Sequence, residues 1–203
     1  MKKHVIGSLI GAALTLPTAI TTVSAAELNI AVPTIIRGFD VQNETGNDGA
    51  PMFYQVFDTL IERDPYSSPL TYQPGLATSW EQIEPTVWKV KLREGVKMHD
   101  GTVMNADDVA FSLNRVFHFE DPEFFSTRGR FFYNFTDVEV IDEHTVHIHT
   151  ERPEPLFEML LSARNAGITS KQHYDEHGFE VAAVNPVGTV RTLLLVTHHV
   201  RIS

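Results

Sequence analysis

The first side chains in this 203-residue sequence that could do chemistry are two histidines one residue apart, His147 and His149. They lie in an alternating stretch, Thr145 to Thr150, and alternate residues of a strand share a face. Two imidazoles on one face could begin a metal site, with Glu151 on the same face as a third ligand. That would make a metal-dependent enzyme built on His147 and His149. A solvated strand face opposite Val146 and Ile148 explains the same residues and fits the usual ligand counts better. Asp107 and Asp108 resemble a carboxylate pair for acid–base work, but neighbours in a helix do not face each other. Following Asn105, they read as a capped first turn whose carboxylates favour the helix dipole. Ser67, Ser68 and Ser79 have no G-x-S-x-G elbow around them. No glycine-rich phosphate cradle is present. The sequence has no cysteine, which excludes disulfides, thiolate metal sites and cysteine nucleophiles. No catalytic residue, resident metal or cofactor is expected.

The elements that would position these groups follow from periodicity. Leu28–Val32 alternates before Pro33 and predicts a strand. Arg37–Gly49 is a polar loop. Pro51 opens a predicted helix whose stripe is Met52, Phe53, Val56, Phe57, Leu60 and Ile61. Residues 64–74, with three prolines, predict a loop. Thr86–Arg93 is the clearest strand, with Trp88, Val90 and Leu92 on one side and Lys89, Lys91 and Arg93 on the wet side. His99–Thr102 predicts a turn that uses the freedom of Gly101. Asn105 caps a helix with the stripe Val109, Leu113, Val116 and Phe117. Residues 136–142 and 145–150 form a predicted hairpin around Asp142-Glu143-His144. Pro155 opens a last helix with Leu156, Phe157, Leu160 and Leu161 at its apolar positions. Strands and helices mix without a regular βαβ alternation, so the fold class is α+β.

The formal net charge is −10, which argues against a nucleic-acid partner. Met1-Lys2-Lys3-His4 is a basic start, Val5–Val23 is uncharged, and Val23-Ser24-Ala25-Ala26 supplies small residues before Glu27. This is the three-part pattern of a secretory signal peptide over residues 1–26, cut after Ala25 or Ala26. The mature protein is expected in the periplasm, as a monomer.

Residues 75–113 carry a longer pattern. Gly75-Leu76-Ala77-x-Ser79-Trp80 leads to Trp88-x-Val90-x-Leu92-Arg93-x-Gly95-Val96-Lys97. His99-Asp100-Gly101-Thr102 and Ala106-x-Asp108-Val109-x-Phe111-Ser112-Leu113 follow. This resembles the signature region of the family 5 extracellular solute-binding proteins, which serve ABC importers of peptides and nickel. Val56–Ile61 looks like the family's first helix, Asp137–Asp142 with Thr145-Val146 its central hairpin, and Asn185-Pro186-Val187-Gly188-Thr189 the entry to its P-V-G-T-G-P-Y stretch. Met98 stands where an aromatic residue is usual. The resemblance implies the N-terminal portion of a type II periplasmic-binding fold, incomplete, with residues 27–189 holding part of lobe one and an inserted subdomain. It implies capture of a peptide or similar small ligand and delivery to the membrane permease of an ABC importer. The loop Asn43–Asp48 matches the family's cleft-lining loop in location, which makes Thr45, Gly46 and Asn47 candidate ligand contacts. An ordinary surface loop describes it equally well.

From Val190 to Ser203 the pattern stops and no acidic residue occurs. Where the family has G-P-Y, this chain has V-R-T. Residues 190–203 are therefore expected to be an aberrant tail, left by a frameshift or early stop, on a truncated chain without a functional cleft. Leu193–Val196 keeps the alternative of a real C-terminal strand open. A stand-alone periplasmic interaction module is the remaining reading.

Overall fold

The computed structural model describes residues 38–43, 50–118 and 129–189. The expected signal peptide, the expected Leu28–Val32 strand, the loop residues Thr45, Gly46 and Asn47, and the expected aberrant tail at 190–203 lie outside the described residues. The sheet is built from two hairpins. Strands β3 (Ala77–Glu84) and β4 (Val87–Leu92) form the first, and β5 (Phe135–Asp142) and β6 (Thr145–Thr150) the second. The order is β3-β4-β6-β5, antiparallel throughout, with Trp88 opposite Ile148 and Lys89 opposite His147. A smaller hairpin pairs β1 (Ile61–Asp64) with β2 (Thr71–Pro74).

Alternation decides what the large sheet buries. Val90, Leu92, Val138, Val146 and Ile148 are buried on one face. Against that face packs α2 (Ala106–Phe117), through Val109, Leu113, Val116 and Phe117. Asn105 caps α2 by accepting from the N–H groups of Asp107 and Asp108, and Asp108 returns the bond to the Asn105 N–H. This reciprocal capping box fixes where the helix starts. At one end of the core Trp88 stacks on Phe157, with ring centroids 4.1 Å apart.

The expected helix over residues 51–61 is corrected. Helix α1 covers only Ala50–Phe53, and turn bonds carry the chain to Phe57. Leu60 and Ile61 are buried as the stripe required, but beside and in β1, because the Leu60 carbonyl accepts from the Gly75 and Ala77 N–H groups. A tight turn followed by a strand buries the same positions as a helix. The expected loop over 64–74 is likewise half right, since Thr71–Pro74 is a strand. The last predicted helix, α3, spans Phe157–Leu161. Leu156 sits at its cap, half-exposed, where the Glu154 carboxylate takes its N–H. The turn at residues 99–102 holds Gly101 at φ +87°, as its sequence predicts. Helices α4 (Lys171–His177) and α5 (Phe179–Val184) complete the described chain.

Candidate functional site

The turn at residues 40–43, next in sequence to the polar loop, is held by side chains from distant parts of the chain. Asp40, Val41 and Gln42 are buried. Arg115, on the last turn of α2, donates from Nη2 to Asp40 Oδ2 at 3.0 Å and from Nη1 to Gln42 Oε1 at 3.0 Å. The Gln42 amide nitrogen then donates to the Gly167 carbonyl at 2.8 Å. Asn165 donates to the Val41 and Gln42 carbonyls. The Arg115 guanidinium lies over Tyr174, Phe179 and Phe111, at 4.9, 5.0 and 5.6 Å from the ring centroids. A guanidinium suits this place because its planar fork bonds two partners while its faces meet aromatic rings.

Burial sets the electrostatics of this clasp. Burial pushes the Asp40 carboxyl above 3.8, although Arg115 and nearby N–H groups oppose it. The Tyr174 hydroxyl is pushed up to about 12, by burial first and by the Asp40 charge second. Asp40 Oδ1 and Asn43 Oδ1 are buried without a hydrogen-bond donor. The turn is therefore held at an electrostatic cost, with acceptor capacity left over.

A second junction lies at residues 187–189. Thr189 donates its hydroxyl to Asp58 Oδ2 at 2.9 Å. The His99 N–H donates to the Gly188 carbonyl, and Ser170 N–H and the Thr169 hydroxyl both donate to the Val187 carbonyl. Gly188 passes so close to the chain at Val56 that a Cβ there would lie 2.1 Å from the Val56 carbonyl oxygen.

The histidines are on one face of β6, as predicted. Their partner is Glu139 on β5: its Oε2 is 3.2 Å from His149 Nε2 and 3.9 Å from His147 Nδ1. Glu151 lies past the end of β6, with its N–H on the Asn134 carbonyl. Lys89, opposite His147 on the other side, pairs with Glu81 at 3.6 Å. Glu81, Lys89, His147 and Glu139 form one row across the four strands, and the Lys89 ammonium disfavours a second cation beside it. Among the described residues no group of three or more His, Cys, Asp or Glu side chains could hold a metal ion. Asp108 is a cap, and its other oxygen accepts the Lys171 N–H at 2.8 Å. Arg93 is more than a wet-face residue, since Nε and Nη2 both donate to the Gly75 carbonyl.

Sequence reasoning missed Asp40, Gln42, Arg115 and Asn165. One local sign existed: Phe111 and Arg115 are four apart, on one side of α2, where ring and cation can meet. The bond from Arg115 to Asp40 spans 75 residues and left no local trace.

Comparison with known proteins gives the fold and the family. The dipeptide-binding protein of Escherichia coli (strain K12) is 33% identical over 135 residues, 57% of this chain and 25% of that protein. The glutathione-binding protein GsiB of Escherichia coli O1:K1 / APEC is 34% identical over 102 residues, 50% of this chain and 19% of that protein. The chain thus spans about a quarter or less of these curated relatives. A solved structure, the ABC transporter-associated periplasmic binding protein DppA from Helicobacter pylori in complex with the peptide STSA, superposes with a TM-score of 0.69 at 23% identity. The match covers 79% of this chain and 35% of that one. The fold is therefore the expected incomplete α+β portion of a periplasmic-binding protein. Residues 71–189, more than half of the 203, match the family described as bacterial extracellular solute-binding proteins, family 5 Middle, and the chain belongs to that family.

Proposed function

We propose that this chain is the peptide-capturing component of an ABC importer, exported to the periplasm behind a cleaved signal peptide, and that its 203 residues supply one wall of the cleft. The observation that carries this reading is the buried 40–43 turn, fixed from α2 and from residues 165–167, which leads directly into the polar loop holding Thr45, Gly46 and Asn47. Relatives that bind a dipeptide and glutathione supply the ligand class. Capture involves no covalent chemistry, so it needs holding groups and no nucleophile. Extended peptides are held by backbone hydrogen bonds and by partners for their charged ends. A single wall cannot desolvate a ligand or pair both ends, so affinity is low. The membrane permease receives the ligand from the whole two-lobed protein.

The test is two-dimensional NMR of the folded chain titrated with di- to pentapeptides. Saturable shifts at residues 40–49, with a Kd near about 1 mM, or about 4 kcal/mol, are expected. Shifts confined to the outer sheet face around His147, or none at all, would sink the proposal.

A further inference from the structure

We propose that His99 is an acid-sensitive latch on Gly188 and the residues beside it. The pairing between them runs both ways. The His99 N–H donates to the Gly188 carbonyl at 3.0 Å, and the Gly188 N–H donates back to His99 Nδ1 at 3.3 Å. A backbone N–H can only donate, so Nδ1 offers a lone pair and the neutral ring carries its proton on Nε2. A second proton on this ring goes to Nδ1, the nitrogen that holds Gly188. Two donors then face each other, and a bond becomes a repulsion. The chain cannot absorb this by moving toward Val56, whose carbonyl oxygen would lie 2.1 Å from a Cβ at position 188.

The other described bonds at the junction survive acid. The Val187 carbonyl accepts from the Ser170 N–H and the Thr169 hydroxyl, neither of which titrates. His173 holds the Asn185 carbonyl through Nε2 at 2.8 Å, and a carbonyl accepts from a neutral or a protonated ring alike. Asp58 takes the Thr189 hydroxyl at 2.9 Å. Burial raises the Asp58 carboxyl above 3.8, with the Thr189 bond and the His99 charge opposing it. Its contribution therefore grows as pH falls, opposite in sign to the latch. While ionised, Asp58 also attracts the imidazolium and draws it off Gly188. Asp100 is engaged with the Thr102 N–H and hydroxyl, and Lys171 is paired with Asp175. Acid thus removes the Gly188 bond and leaves Val187 fastened, so pH sets how firmly residues 188 and 189 are held.

The experiment follows amide hydrogen exchange of the full chain at about pH 8 and about pH 5, between which histidines change charge. Each rate is corrected for the intrinsic pH dependence of exchange. Protection at Gly188 and His99 is expected to fall at least about tenfold in acid, while the amides of β4 and β6 keep theirs. His99→Asn places an amide oxygen where Nδ1 stands and takes up no proton in this range. This variant is expected to hold Gly188 protection within about threefold between the same pH values. Nitrogen-15 NMR of the wild-type ring tests the latch without any variant, with the proton expected on Nε2 at about pH 8. A neutral ring protonated on Nδ1 overturns the proposal. So does unchanged Gly188 protection in acid, an equal fall across the whole chain, or the same fall in His99→Asn.

Discussion

Single residues in this protein matter most where the chain is crowded or a charge is buried. Gly188 is the crowded case. A methyl group added there meets the Val56 carbonyl at 2.1 Å and Phe57 at 2.8 Å, so backbone must move. Gly188→Ala is expected to destabilise the chain by about 3 kcal/mol, read from urea melts. Asp58, half-buried, is the charged case. Burial raises its pKa above 3.8, with the Thr189 hydroxyl bond and the charge of His99 acting the other way. The folded chain therefore holds this proton more tightly than the unfolded chain. Its contribution to stability is full below pH about 4 and is lost as pH rises through the raised folded value. Asp58→Asn keeps an acceptor for Thr189 and removes the titration. The variant is expected to lose less stability than wild type between pH 4 and 7 in matched urea melts. A steeper loss in the variant would show that the ionised carboxylate is favoured where it sits.

At the scale of elements, local chemistry was legible and long-range pairing was not. Asn105 with Asp108 three residues on marked the start of α2, and the capping box is there. Asn105→Ala is expected to cost about 1 kcal/mol in thermal or urea melts. The Asp142-Glu143-His144 turn was equally readable, because the Asp142 side chain takes the His144 N–H within the turn itself. The stripe from Met52 to Ile61 misled, since Leu60 leaves the helical path to pair with residues 15 and 17 positions away. No window of sequence contains that information. The outer face of the sheet is the element-scale test of the metal-enzyme alternative. His147 and His149 share one exposed carboxylate, Glu139, 54% exposed. His147→Ala is expected to change stability by less than about 0.5 kcal/mol, and wild type is expected to show no stoichiometric zinc binding by calorimetry. Tight zinc binding abolished by His147→Ala would bring the metal enzyme back.

For the whole molecule the family was legible because its signature is continuous in sequence, from Gly75 to Leu113, and lies on β3, β4 and α2. The clasp on the 40–43 turn was not, because Asp40, Gln42, Arg115 and Asn165 meet only in the folded chain. Calorimetry of the chain against mixed di- to pentapeptides is expected to show no Kd of about 1 μM or tighter. A micromolar ligand would mean that these residues alone enclose their peptide. N-terminal sequencing of exported protein is expected to begin at Ala26 or Glu27.

The stitching of residues 187–189 also sets a timetable. Val187, Gly188 and Thr189 close onto the stretches at 56–58, at 99 and at 169–170. A ribosome makes those stretches first, at roughly 5–20 residues per second. The earlier ones must wait, for several seconds at that speed, for the residues that lock them. Closing so long a loop is slow. The stretches at 58 and 99 therefore complete these bonds only after nearly all of the described chain has been made.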